Sequence, residues 1–167
     1  MFKAVELVNK ILKSAQGRSF GFAESCSGGR LAAAFTAVPS ISSIFKGSLV
    51  VYSNQAKENI LGIDSGFLNK YGAVSYETAL LMALKTRKLL DCDISSSITG
   101  YAGPGGREVG KIFISISTED KLLFQQYQLS GSRVEIQNQI VLKMLENLLK
   151  IVNKEETDLI ETKMIDF

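Results

Sequence analysis

The sequence predicts a three-layer α/β/α sandwich with a mixed sheet. Three observations lead there. Helical and strand-like stretches alternate through the first half of the chain, as parallel βαβ units require. A hairpin pattern follows at 109–129. A long helix with an apolar stripe then closes the fold at 132–152. At 167 residues the chain is long enough for one domain with a substantial core, placed at 1–152.

Each element has its own local warrant. Val5, Val8, Ile11 and Leu12 share one helical face, so 2–16 reads as an amphipathic helix that Gly17 stops. Residues 19–23 form a short apolar run, read as a buried strand. A turn of small residues leads into a helix over 29–38, which Pro39 ends. Residues 46–53 read as a second strand and 54–61 as a short helix with Asn54 as its N-cap. Ser75 opens a helix to about residue 90, without the acid that a capping box needs at residue 78. Residues 94–99 form a strand ending in a glycine-rich loop. Ile112, Ile114 and Ile116 alternate within a strand over 109–118, and Glu119-Asp120-Lys121 turns it into a strand over 122–129. In the last helix Ile136, Ile140, Met144 and Leu148 form the buried stripe, with Val141, Leu145 and Leu149 beside it. The acidic, weakly periodic segment 153–167 reads as a solvated or partner-dependent tail.

Composition narrows the chemistry. Apolar residues make up 46% of the chain and charged residues 22%, as in ordinary soluble domains. The net charge of +2, from 19 basic and 17 acidic residues, argues against direct nucleic-acid binding. No stretch is apolar enough for a membrane span, and the N-terminus lacks the apolar core of a signal peptide. Cys26 and Cys92 have neither metal-ligand spacing nor a disulfide framework, which fits a reduced, cytoplasmic protein without a bound metal. There is no histidine, so Ser-His-Asp and Cys-His catalysis are excluded. Acid–base chemistry falls to Lys, Tyr, Asp or Glu.

In open α/β sheets ligands bind beyond the carboxyl ends of parallel strands. Three segments with reactive side chains follow predicted strands: 24–29, 52–57 and 99–106. Ser25 is the first candidate nucleophile, at a turn where free N–H groups favour developing negative charge; a helix cap fits the same local pattern. Cys26 can attack or can be a small buried residue. Ser27 can cap, donate to substrate or relay a proton. Gly28 and Gly29 allow close backbone approach to a ligand, or tight helix–sheet packing.

Lys57 is the candidate base, although a single lysine on a short helix usually faces solvent. As a base it must be neutral. Lowering a lysine pKa from about 10.4 to about 7 requires roughly 4–5 kcal/mol from burial or nearby positive charge. Tyr52 and Ser53 are placed to orient its amine or pass protons. Gly105-Gly106-Arg107-Glu108-Val109-Gly110-Lys111 has the spacing of a phosphate-binding Walker loop up to the lysine. Ile112 replaces the magnesium-binding hydroxyl and a strand follows, so the match is a coincidence. The loop can still bind an anion through its N–H groups or simply join two strands. Arg133 can hold a phosphate or be a surface charge.

Ala23-Glu24-Ser25-Cys26-Ser27-Gly28-Gly29 resembles the A-E-S-C-[TS]-G-G signature of the CinA C-terminal domain family. Val51-Tyr52-Ser53-Asn54-Gln55-Ala56-Lys57 resembles its V-x-Y-S-N-x-x-K segment. Leu61-Gly62, Tyr71-Gly72-Ala73-Val74-Ser75 and Thr99-Gly100-Tyr101-Ala102-Gly103-Pro104 match later blocks in order, so the resemblance covers about residues 5–150.

The resemblance implies a mostly parallel mixed sheet and the stand-alone form, without the molybdopterin-binding-like domain fused to some members. It implies a nicotinamide mononucleotide amidase of the Ser/Lys type needing no cofactor, with Ser25 as nucleophile and Lys57 as base. Supporting roles fall to Ser27, Tyr52, Thr99 and Arg133, with Cys26, Gly28, Gly29, Gly100, Gly103 and Gly105 around a pyridine nucleotide. A homo-oligomer, a dimer in the first instance, is implied too. One departure stands out. Members usually carry a longer loop after Gly-Pro, ending Lys-Pro-Val-Gly; here it is cut to Gly105–Gly110. A nucleotide-binding module without turnover, or an interaction protein linked to competence or DNA damage, are the rival expectations.

Overall fold

The computed structural model describes residues 2–105 and 108–162. Its elements run α1 (Phe2–Ser14), β1 (Phe20–Glu24), α2 (Arg30–Thr36), a 3-10 turn (Ile41–Ser43), β2 (Phe45–Val50), α3 (Asn54–Leu61), α4 (Ser65–Tyr71), α5 (Tyr76–Leu89), β3 (Ile94–Gly100), β4 (Lys111–Ser117), β5 (Leu122–Gln128), α6 (Arg133–Asn153) and β6 (Ile160–Thr162). The sheet order is β2-β1-β3-β4-β5-β6. β1 pairs parallel with both β2 and β3; the pairs from β3 to β6 are antiparallel. β1, β2, β3 and β5 therefore point one way, and β4 and β6 the other. This is the mixed sheet of the expected sandwich, with its parallel part at β2-β1-β3.

Alternation along the strands sets the two outer layers. Phe20 and Phe22 of β1, Ile94 and Ile98 of β3, and Ile112, Ile114 and Ile116 of β4 face one side. There they pack with Leu7, Val8 and Ile11 of α1, Leu31 and Phe35 of α2, and the Ile136–Ile140–Met144–Leu148 stripe of α6. Ala23 faces the other side, with Val51, Leu61, Leu68, Leu81 and Met82 around α3, α4 and α5. On this side β3 presents hydroxyls instead of aliphatic chains. Ser95 Oγ donates to Ala83 O and Ser97 Oγ to Ala79 O, each at 2.6 Å. The small side chains let α5 lie close to the strand, and its carbonyls accept a further bond.

Several boundaries differ from the sequence reading. Ser53, not Asn54, caps α3: its Oγ accepts from Ala56 N at 3.0 Å. α4 lies in a stretch given no element; at seven residues, with Gly66 inside it, the helix shows too little periodicity to be read. Asp64 caps it, accepting from Phe67 N. The segment expected to be a solvated tail adds a strand, because β6 pairs with Leu122–Phe124 along the outer edge of β5. Residues 163–167 lie outside the described residues, as do Gly106 and Arg107 of the shortened loop.

α6 starts at a full capping box. Ser132 Oγ caps the Glu135 N–H, and the Glu135 carboxylate accepts from Ser132 N at 2.7 Å. Ser132→Ala is expected to cost about 1 kcal/mol. An unchanged urea midpoint would show that this cap does not hold α6.

Candidate active site

β1 runs between two parallel neighbours and is buried along its whole length. Its last residue, Glu24, is an acid with no exposed surface. The carboxylate accepts from Ser27 Oγ at 2.8 Å, Ser48 Oγ at 3.1 Å, Leu31 N at 3.0 Å and Ala32 N at 2.8 Å. α2 has Gly29 at its N-cap and no side-chain cap there. Glu24 therefore caps α2 from the preceding strand and ties it to β2. Between strand and helix the backbone doubles back through Gly28 and Gly29, at φ 62° and 89°, a region costly for other residues.

This turn carries Ser25, whose N–H still pairs with Ile98 O of β3 at 2.9 Å. Alongside, Val51 N donates to Glu24 O at 2.9 Å, so the end of β2 runs level with Ser25. The chain then bends, Ser53 caps α3, and Lys57 lies one turn in. Lys57 is 1% exposed, and its Nζ sits 3.2 Å from Ser25 Oγ, 2.9 Å from Val51 O and 3.5 Å from Tyr52 O. None of the described ion pairs includes it. Burial holds its pKa below the ordinary lysine value, with Cys26 opposing the shift.

The three neighbours decide how a neutral amine sits. Carbonyl oxygens only accept, so the two N–H bonds point to Val51 O and Tyr52 O. In the neutral form the lone pair is then free to face Ser25 Oγ, 3.2 Å away, and to take its proton. That is the arrangement of a nucleophile with its general base.

Cys26 is poorly suited to attack. Burial pushes its thiol pKa up to about 12, so the thiolate is scarce near neutral pH. Ser27 has no exposed surface and gives its proton to Glu24, not to Ser25. Ser53 Oγ serves the α3 cap, and only the backbone of Tyr52 approaches the Lys57 amine.

The Tyr52 ring is 58% exposed, and its hydroxyl accepts from Arg133 Nη2 at 2.7 Å. Arg133 Nη1 donates to Gly103 O, so α6, the loop after β3 and the start of α3 meet there. Thr99 Oγ1 donates to Ala73 O at 2.6 Å. Gly100 has a packing role: a Cβ there would lie 2.7 Å from Ile112 Cα. Gly105 is exposed, with nothing within 4 Å of where a Cβ would stand.

Two residues joined to the turn escaped the sequence reading. Glu24 was legible only as an acid closing an apolar strand. Gln137 of α6 is buried and donates from Nε2 to Cys26 O at 2.7 Å. Its signal is an amide one turn before Val141, where the second apolar row of α6 would begin.

A cavity of about 930 Å³ opens at the opposite end of the strands, among Arg18, Arg87, Asp93 and Lys121. The chemistry nevertheless points to Ser25, because the hydroxyl and the buried amine face each other there. No group of three or more metal-ligating side chains occurs among the described residues, and none of their helices is long and apolar enough to cross a membrane.

The family model of the CinA C-terminal domain matches residues 2–152. The chain belongs to the CinA C-terminal domain family. A putative competence-damage inducible protein of Thermoanaerobacter sp. (strain X514) is 41% identical over 145 residues, covering 84% of this chain and 35% of the relative. A CinA-like protein of Thermosipho melanesiensis is 36% identical over 149 residues, covering 86% and 37%. The chain thus spans little more than a third of these curated relatives.

Solved CinA structures share the fold. The CinA superfamily protein of Klebsiella pneumoniae 700603 superposes with a TM-score of 0.87 at 27% identity, covering 90% of this chain and 98% of its own. The competence/damage inducible protein of Agrobacterium tumefaciens gives 0.86 at 31% identity, covering 90% and 96%.

Proposed function

We propose that this CinA domain is an amidohydrolase that converts nicotinamide mononucleotide into nicotinate mononucleotide and ammonia. The observation that carries the proposal is the 3.2 Å approach of a buried Lys57 amine, which takes part in none of the described ion pairs, to Ser25 Oγ. Neutral Lys57 takes the hydroxyl proton as Oγ attacks the carboxamide carbon. The carbonyl electron pair moves onto oxygen, where N–H groups of the 26–29 turn receive it. Lys57 returns the proton to nitrogen, the C–N bond breaks and ammonia leaves a Ser25 ester. Water, deprotonated by Lys57, then attacks the ester; Lys57 returns that proton to Ser25 Oγ as the C–O bond breaks and the acid is released.

A pyridinium substrate suits this site twice. Its charge polarises the carboxamide and disfavours a second positive charge on Lys57. Arg133 and Tyr52, paired beside the loop after β3, supply a guanidinium and a hydroxyl for a ribose phosphate. The scheme needs no metal or organic cofactor.

Ammonia and nicotinate mononucleotide should appear in equal amounts when the folded protein meets nicotinamide mononucleotide. Absence of both would sink the proposal. Thermal stabilisation by the nucleotide without ammonia would favour a binding module instead.

A further inference from the structure

The bond from Gln137 to the nucleophile turn has a geometric consequence. In a trans peptide, the C=O and N–H of one plane point in opposite directions. Cys26 O and Ser27 N share a plane. The 2.7 Å bond from Gln137 Nε2 to Cys26 O therefore directs the Ser27 N–H away from Gln137. The preceding plane is held as well: Ser25 O accepts from Gly28 N at 3.1 Å, which directs the Cys26 N–H the opposite way.

Neither the Cys26 nor the Ser27 N–H donates to another residue among the described residues, although both residues are buried. Nearly all buried N–H groups have a partner. The Cys26 N–H lies against its own thiol, whereas the Ser27 N–H, held in a fixed plane beside a nucleophile, has the form of a donor awaiting an acceptor.

We propose that Gln137 is a positioning residue. By pinning the Cys26–Ser27 peptide, it holds the Ser27 N–H ready for the oxyanion that forms when Ser25 adds to a carboxamide. The inference rests on the amidohydrolase reading. As the Ser25 Oγ–carbon bond forms, the carbonyl π pair becomes the oxyanion. As the C–N bond breaks, the pair returns to the carbonyl and the hydrogen bond weakens. The contribution is therefore greatest in the transition state and appears in kcat.

The test uses Gln137→Met, which keeps length and burial, and Gln137→Asn, which keeps the amide but is one methylene short. Each is assayed with nicotinamide mononucleotide and with its thioamide analogue, in which sulfur replaces the carbonyl oxygen. Sulfur accepts hydrogen bonds poorly, so an aligned N–H makes the wild type favour oxygen. Both variants should lose about 100-fold in kcat on the oxygen substrate with KM nearly unchanged, and their preference for oxygen over sulfur should shrink. Wild-type kcat in both variants, or a lower kcat with the preference intact, would overturn the inference while leaving the amidohydrolase reading standing. A wild type that releases no ammonia would overturn both.

Discussion

Ser25→Ala should lower ammonia release from nicotinamide mononucleotide by at least about 10³-fold, and Lys57→Met should lower it by a similar factor. Each variant removes one half of a single unit, so the double variant should be little worse than either one. Loss of folding would not explain the result for Ser25→Ala, because the Ser25 N–H bond to Ile98 O does not involve the side chain.

Lys57→Met adds a stability signature whose sign follows from proton linkage. The folded pKa of Lys57 lies below the unfolded one, so the unfolded chain binds the extra proton between the two values. Wild-type stability therefore rises with pH across that window and is lowest at and below the folded pKa. Methionine removes this dependence. The stability of Lys57→Met relative to wild type should be greatest at low pH and shrink as pH approaches about 10.5. Urea unfolding at several pH values measures it; a relative stability that grows with pH would contradict a buried amine of lowered pKa.

Glu24→Ala should have the largest effect on folding. It removes the acceptor for two hydroxyls and for the Leu31 and Ala32 N–H groups. Each buried donor left without a partner costs about 1–3 kcal/mol, although relaxation and water recover part of it. A net loss of about 3–5 kcal/mol is expected, a large share of the 5–15 kcal/mol that typically holds a domain. Glu24→Gln keeps one acceptor oxygen and should cost less. A change under about 1 kcal/mol in Glu24→Ala, read from urea midpoints, would show that α2 is held by other means.

The layers were legible because their signals are periodic and long. The stripe of α6 and the alternation of Ile112, Ile114 and Ile116 each repeat enough to name a face. Ser25 and Lys57 were legible as candidates because each follows a strand end and histidine is absent; their roles as nucleophile and base came from the resemblance to the CinA C-terminal domain. What escaped depends on contacts between distant segments. The capping of α2 by Glu24 crosses from strand to helix, and Gln137 meets Cys26 across 111 positions. The strand at Ile160–Thr162 exists only because β5 offers it an unpaired edge, which the polar, weakly patterned tail does not announce. Thr99 was placed correctly at a strand end, but its hydroxyl direction follows from the Ala73 carbonyl, which no local pattern reveals.

The central claim is that Lys57 is the neutral base of Ser25. The most direct measurement is kcat/KM for ammonia release between pH 5 and 10, set beside the titration of the Lys57 side chain followed by carbon-13 NMR at Cε. The rate should rise with a single ionisation below the ordinary lysine value, and its midpoint should coincide with that of Lys57. A rate that rises while Lys57 still titrates at or above the ordinary value of about 10.4 would contradict the claim.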